Sequence, residues 1–243
     1  MRTIAFSKRT ALEVLRDPLN IVFGLGFPIV LLILLSAIQA NVPVELFAIE
    51  SLAPGMTVFG LSFITLFSAT LISKDSESAL FARLMTTPLT ASDFIIGYTV
   101  PLLPLALAQS AVCYAFSLVL NLKFDVWILI AILFNIPTAI VFISIGLLCG
   151  SVLNSKQVGG ICGALLTNLT AWFSGIWFDL ELVGGAFKKI AELLPFYHAV
   201  ELQRAVVSQN LELAGEHLIW VCGYAVVLLC LAIAVFVARK RRA

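Results

Sequence analysis

Six long apolar runs that contain no charged residue constrain the fold of this chain more than any other feature. They cover residues 21–39, 54–72, 94–120, 126–153, 157–178 and 218–238. Each is long enough to cross a hydrocarbon core as a helix of about 20 residues. The chain has 15 Lys and Arg and 14 Asp and Glu, and none lies inside these runs. A charge at mid-membrane costs roughly 2.5 to 3.5 kcal/mol on insertion scales. We therefore predict an all-α integral membrane protein with six transmembrane helices in a single domain, residues 1–243.

The distribution of Lys and Arg predicts the orientation of these spans. With both termini in the cytoplasm, eleven of the fifteen basic residues lie on the cytoplasmic side. Basic residues are enriched on that side of membrane proteins. A seventh span between 178 and 218 would move the basic C-terminal residues outside and is disfavoured. We expect a multi-pass protein of the cell inner (plasma) membrane with both termini cytoplasmic.

Residues 1–17, ahead of the first span, have the pattern of an amphipathic helix. One face carries Ile4, Ala11, Leu12 and Leu15, and another carries Arg2, Arg9, Glu13 and Arg16. The helix should end at Asp17, because proline disfavours helical geometry in the residue before it. We expect an interfacial helix on the cytoplasmic leaflet; a disordered basic tail is the alternative.

The segment before the last span is long and only partly polar. Its apolar spacing and Pro195 predict two short helices, which we interpret as a re-entrant hairpin at 184–207 that dips into the outer leaflet. A surface hairpin outside the bilayer is the alternative. Glu201 and Arg204 lie one turn apart, and with Pro195 they are candidates for an outer gate. An exposed structural ion pair explains Glu201 and Arg204 equally well.

The polar segment KDSESALFARLMTTPLT separates the second and third spans. We predict a short cytoplasmic helix within 74–87, with Asp75 and Glu77 in its first turn, where the helix dipole favours negative charge. The stretch has two cations, Lys74 and Arg83, against those two acids, whereas membrane-surface helices are usually more basic. Docking to a protein is therefore favoured over docking to anionic lipid. The apolar stripe of this helix comprises Leu80, Phe81, Leu84 and Met85.

In these residues the sequence resembles the permeases of type-two ATP-binding-cassette exporters, which include drug, lipid and polysaccharide exporters. That family carries an acid-x-acid motif, then Thr-Pro-Leu and a Gly-Lys pair, between spans two and three. Here the corresponding residues are Asp75-Ser76-Glu77, Thr87-Pro88-Leu89 and Gly97. A later family pattern, a proline followed nine residues on by arginine, matches Pro195 and Arg204. The chain departs from the pattern at Ala79-Leu80, where Gly-Thr is expected, and at Tyr98, where lysine is frequent.

The resemblance implies that 74–87 is a coupling helix inserted into a cytoplasmic ATPase, with Asp75, Glu77 and Arg83 beside the apolar stripe. ATP and Mg would be bound by that partner, and this chain would bind no cofactor and would not be an enzyme. The chain contains no phosphate-binding loop, since its glycine-rich run 159–163 is apolar and lacks a lysine. The permease would pair with a second copy, or with a related permease. Its other surroundings would be membrane lipid, and no nucleic-acid partner is expected.

In the resembling family, spans two and five line the transport pathway. Span two here carries Phe59, Phe63 and Phe67 at helical spacing, and span five carries Asn168 and Trp172 one turn apart. These five residues are the candidate pathway. Aromatic stripes also face lipid or pack between helices, and Asn168 could instead form an interhelical hydrogen bond.

The absence of charge in the spans bears on the cargo. Proton-coupled carriers need a titratable group inside the membrane, and ion pathways are usually lined by acidic rings or carbonyls. We expect outward movement of an amphiphilic or lipid-like substrate. The alternatives are a six-span channel or scaffold without ATP coupling, or a secondary carrier. The five cysteines show no paired spacing, and we expect no metal site.

Overall fold

A computed structural model describes residues 2–43, 47–78 and 90–240, which form helices and connecting turns without any strand. The helices, in chain order, are α1 (Arg2–Leu15), α2 (Pro18–Gln39), α3 (Ile49–Glu77), α4 (Ala91–Val119), α5 (Val126–Val152), α6 (Ser155–Val158), a π-helical segment (Gly159–Leu166), α7 (Thr167–Phe173), α8 (Leu180–Val183), α9 (Gly185–Glu192), α10 (Pro195–Val207) and α11 (Leu211–Lys240). The predicted all-α class is confirmed.

Five helices, α2, α3, α4, α5 and α11, are long and apolar enough to cross a membrane. They coincide with five of the six predicted spans. Several run past the predicted limits, because a helix continues into polar residues beyond the apolar run that signals it. Thus α3 extends to Glu77 and α11 begins at Leu211.

The predicted span at 157–178 has a different form. Helical structure runs without a break from Ser155 to Phe173, but its middle is the π-helical segment Gly159–Leu166, and it stops five residues short of the predicted end. A π-helix has one extra residue per hydrogen-bonded turn and occurs frequently at functional sites. Membrane crossing by this segment stays a prediction.

Helix α3 forms the centre of the bundle. It packs against α2, α4, α5, α10 and the π-helical segment. Of its most apolar 18-residue stretch, 89% is buried, against 22% for α2 and for α11. Helices α2 and α11 therefore lie at the periphery of the bundle, whereas α3 is enclosed by the rest of the chain.

The two ends of α3 define the two ends of the bundle. We call the end that contains α1, the last turn of α3 and the start of α4 the Asp75 end. The opposite end, with α8, α9, α10 and the start of α3, is the Arg204 end. Here α9 and α10 are two short helices that meet just before Pro195, as the sequence predicts. Their dip into the outer leaflet stays a prediction.

Candidate functional site

Asp75 lies at the C-terminal end of α3, and its side chain points into the bundle. The residue is 4% exposed. Arg9 on α1 donates from Nη1 to Oδ2 and from Nη2 to Oδ1, each at 2.6 Å. A buried carboxylate is costly unless it is paired and hydrogen-bonded, and this two-pronged contact meets both needs. The hydrogen bond to Asp75 raises the pKa of Arg9 above its usual range, so Arg9 remains a cation.

Tyr98 on α4 completes the coordination of Asp75. Its hydroxyl donates to Oδ2 at 2.5 Å, and the residue has no exposed surface. The ring of Phe6 from α1 meets that of Tyr98 edge-on, with centroids 5.0 Å apart. This approach requires glycine at position 97, since a Cβ there would lie 2.0 Å from Cδ1 of Phe6. One carboxylate thus joins α1, α3 and α4.

The start of α4 is tied to α1 by a second contact. Thr90 and Asp93 form a reciprocal capping box, with the Asp93 amide donating to Oγ1 of Thr90 at 3.2 Å and the Thr90 amide donating to Oδ2 of Asp93 at 3.0 Å. Thr3 of α1 donates to the other carboxylate oxygen of Asp93 at 2.5 Å. Helix α1 therefore holds the chain on both sides of residues 79–89, at Asp75 before them and at Asp93 and Tyr98 after them.

Glu77 joins the last turn of α3 to the start of α6. Its carboxylate accepts hydrogen bonds from the amide and the hydroxyl of Ser155, at 2.8 and 2.9 Å. Arg239 near the end of α11 donates to the carbonyl of Ser151 and, at 3.4 Å, to the hydroxyl of Ser76. The last turn of α3 is thus bonded to elements from the N-terminal, central and C-terminal parts of the chain.

These contacts correct part of the predicted coupling helix. Asp75 and Glu77 belong to the last turn of α3 and not to the first turn of a separate helix, because α3 ends at Glu77 and Ser78 is extended. Asp75 is engaged inside the chain, whereas Glu77 remains at the surface with Ser155. The other predicted coupling residues, Leu80, Phe81, Arg83, Leu84 and Met85, lie outside the described residues.

The polar face of α1 is also used differently from the prediction. Arg9 forms an ion pair with Glu13 at 2.6 Å as well as with Asp75, and Phe6 is buried against α4. This face docks onto the bundle. Burial raises the pKa of Glu13, while the charge of Arg9 acts in the opposite direction. The apolar face of α1 is exposed instead, with Ile4, Leu12 and Leu15 at its surface, as an interfacial helix requires.

The predicted aromatic stripe of α3 is buried within the chain. Phe59, Phe63 and Phe67 are 3%, 9% and 5% exposed. The rings of Phe63 and Phe27 have centroids 5.3 Å apart, and those of Phe59 and Trp177 are 6.4 Å apart. In this conformation the stripe packs α3 against α2 and the end of the fifth predicted span.

Asn168 and Trp172 lie apart from that stripe, on an exposed face of α7. Trp172 is 52% exposed. The Asn168 side-chain amide donates to the carbonyl of Ala164, one turn back, at 2.8 Å. Its hydrogen bond is therefore made within the same continuous helical stretch, to the π-helical segment, and not to another span. The structure does not bring these two residues together with the stripe.

The candidate outer-gate residues form a connected group at the Arg204 end. Arg204 donates to Glu201 at 2.8 Å, to the carbonyl of Gly175 at 2.9 Å and to that of Ser51 at 3.4 Å. Pro195 is the first residue of α10. Arg204 and Glu201 also line a cavity of about 410 Å³, whose further charged residues are Asp179, Glu181 and Lys188.

A histidine pair beside this group has no counterpart among the predicted sites. His198 and His217 lie with their Nδ1 atoms 2.9 Å apart, and Nε2 of His198 is 2.9 Å from the Glu192 carbonyl oxygen. Trp220 stacks on His198 with centroids 4.8 Å apart. The spacing of the two residues along the chain does not indicate the contact, because α10 and α11 must first fold back on each other.

Comparison with known families gives one result. The profile of the ABC-2 type transporter family matches residues 1–207, which is most of the chain and includes both the Asp75 and the Arg204 ends. No curated protein matches the sequence.

Proposed function

Because the chain belongs to the ABC-2 type transporter family, we propose that it is the permease of an exporter whose separate cytoplasmic ATPase acts on residues 74–87. Family membership makes it a multi-pass membrane subunit of an ABC exporter, without catalytic activity of its own, and implies a cytoplasmic ABC ATPase partner. The orientation of the termini, the coupling segment, the pairing of two permeases and the cargo are proposals.

The observation that carries the coupling proposal is the double attachment of α1 around residues 79–89. Arg9 binds Asp75 before this segment, and Thr3 binds Asp93 after it. Force applied to the segment would therefore reach α3, α4 and α1 together. Through Glu77 and Ser155 it would also reach α6 and the π-helical segment.

The proposed pathway lies between two permeases, as a homodimer or with a related chain. Asn168 and Trp172 are exposed and can face it directly. The stripe of Phe59, Phe63 and Phe67 would reach it after α2 separates from α3 in the transport cycle. We propose an amphiphilic or lipid-like cargo, since none of the charged residues of the chain lies in the six apolar runs. The cargo would leave on the Arg204 side, which is the outer side in the proposed orientation.

The test of coupling is reconstitution of the chain with the ATPase that co-purifies with it. Glu77→Lys and Leu84→Asp should each lower amphiphile transport and cargo-stimulated ATP hydrolysis by roughly tenfold, the size of a central interface contact. Glu50→Lys is the matched control, because Glu50 is exposed at the opposite end of the same helix. Unchanged activity in both variants would remove the coupling role, and ion conductance without ATP would favour a channel.

The test of cargo class uses the same vesicles. We expect stimulation by amphiphiles and none by a strongly hydrophilic sugar. The reverse result would contradict the proposed cargo and leave the coupling result intact.

A further inference from the structure

A second cavity lies at the Asp75 end, where α1 turns into α2. It has a volume of about 280 Å³, and α1, α2, α3 and α4 all contribute to its lining. Of the described residues in the proposed coupling segment, only Lys74 lines it. None of the gate residues lines it, and Phe67 is shared with the candidate pathway. It lies beside the α1–α2 turn, between that turn and the C-terminal half of α3.

The deep part of this cavity is apolar. Its wall consists of Val14, Ile21, Phe67, Leu71 and Leu105. Phe67 lies seven residues before Lys74 on α3, so at 1.5 Å per residue the wall extends about 10 Å from the rim towards the membrane centre. Such a depth suits a hydrocarbon chain and not a soluble ion.

Four charged residues line the rim, and they differ in whether they already have a partner within the chain. Glu13 is already paired with Arg9, and Asp17 also has a partner within the chain. Arg16 and Lys74 are exposed, and neither takes part in an ion pair or a side-chain hydrogen bond among the residues that the structure describes. The rim therefore offers two cations with free donors above an apolar wall.

We propose that this cavity binds an anionic phospholipid from the leaflet at the Asp75 end, which is the cytoplasmic leaflet in the proposed orientation. Arg16 and Lys74 contact the headgroup phosphate, and one acyl chain packs against Phe67, Leu71 and Leu105. Guanidinium and ammonium groups are the usual phosphate ligands of proteins, and juxtamembrane cations attract anionic lipid. The site is separate from the cargo proposal, because it needs neither ATP nor a second permease.

The site also has a structural consequence. Glu13 lies in the last turn of α1, Arg16 follows α1 directly in the turn to α2, and Lys74 precedes Asp75 on α3. A lipid bound between Arg16 and Lys74 would join α1 to α3 beside the Arg9–Asp75 ion pair, so that lipid occupancy adds to the attachment of α1.

Binding can be measured on the full chain in detergent by native mass spectrometry. The probes are dioctanoyl phosphatidylglycerol, dioctanoyl phosphatidylcholine and inorganic phosphate. We expect one saturable phosphatidylglycerol per chain, weaker binding of the zwitterionic lipid, and no binding of phosphate in the same concentration range. Phosphate that binds as tightly as phosphatidylglycerol would overturn the proposal, since the apolar wall would then contribute nothing.

Variants distinguish the contribution of the headgroup contacts to lipid binding from that of the acyl-chain contacts. Arg16→Gln with Lys74→Gln should weaken phosphatidylglycerol binding by about 25-fold, at about fivefold for each cation. Lys8→Gln is the matched control; Lys8 is an exposed cation of α1 that does not line the cavity, and its loss should change binding less than twofold. Thr70→Leu, which fills the cavity and keeps both cations, should also weaken binding. Equal effects of the control and the double variant, or unchanged binding in both the double variant and Thr70→Leu, would overturn the proposal.

Discussion

At the Asp75 end the helices meet around a charged group, whereas at the Arg204 end an arginine reaches mainly to backbone carbonyls. Asp75 receives two hydrogen bonds from Arg9 and one from Tyr98, so three helices share one buried carboxylate. Arg204 donates one hydrogen bond to Glu201 and the others to the backbone carbonyls of Gly175 and Ser51. Losing the cation at the first end leaves a buried charge unpaired, but at the second it leaves carbonyls that water can reach. The two ends should therefore respond differently to equivalent substitutions.

The largest effect is expected from Arg9→Gln. Breaking a buried pair costs roughly 3 to 5 kcal/mol, and the 35% exposure of the Arg9 side chain reduces this to about 2 to 3 kcal/mol of unfolding free energy. Denaturant unfolding in detergent measures it. Adding Asp75→Asn should restore most of the loss, because two neutral amides can hydrogen-bond at the same position. A double variant no more stable than Arg9→Gln would contradict the role given to the buried charge.

Arg204→Gln should cost less, about 1 to 2 kcal/mol, since it removes hydrogen bonds without leaving a deeply buried charge. The same unfolding measurement applies. Lys189→Gln is the control, because Lys189 is exposed on the neighbouring helix α9. If Arg204→Gln proved more damaging than Arg9→Gln, the comparison between the two ends would be reversed.

Thr90→Ala tests the second attachment of α1 and should cost about 1 kcal/mol, as capping substitutions typically do. Thr90→Ser keeps the hydroxyl and should stay close to the parent chain. Hydrogen exchange of α1 amides provides a local readout, because Asp93 also binds Thr3. Faster exchange confined to α4, with α1 unchanged, would show that the cap does not support α1.

The smallest expected effect is a pH dependence of the unfolding stability, caused by His198 at the Arg204 end. Burial lowers the pKa of His198 below its ordinary value near 6.5; His217 acts in the same direction, and Glu192 and Glu201 act against it. The unfolded chain therefore takes up a proton more readily than the folded one, and the stability present above pH 6.5 declines as the pH falls below it. The unfolding temperature should drop between about pH 7.5 and pH 5.5. His198→Gln with His217→Gln should flatten this slope, and Lys8→Gln should keep it; a double variant with the full slope would assign the titration to other groups.

The sequence predicts five of the six spans as long apolar helices, because charge exclusion is a local property that any apolar run displays. It predicts the Asp75 contact poorly. Arg9 and Asp75 are 66 residues apart, and the periodicity of α1 indicates a polar face without saying whether water, lipid or protein covers it. Tyr98 stood out in the sequence as a departure from the family pattern, and its hydroxyl is one of the three donors to Asp75.

The aromatic stripe shows a second limit of sequence reasoning. The spacing of Phe59, Phe63 and Phe67 places all three rings on one face of α3. Such an aromatic face is a candidate for lining a substrate pathway. Because α3 is covered on all sides, that spacing does not distinguish a lining face from a packing face. Asn168 and Trp172 are exposed, so neither is a packing residue within this chain. Their exposure depends on how α7 packs, and their spacing along the chain does not predict it.

The enclosure of α3 has a consequence for how this chain tolerates change over evolutionary time. A helix with a lipid-facing side offers every third or fourth position as a place where one aliphatic residue can replace another at little cost. Helix α3 has protein neighbours around its whole circumference, so a saturation scan should find intolerance at nearly every position and no helical period in it. New specificities would then have to arise on the peripheral helices, while the central one is inherited almost unaltered.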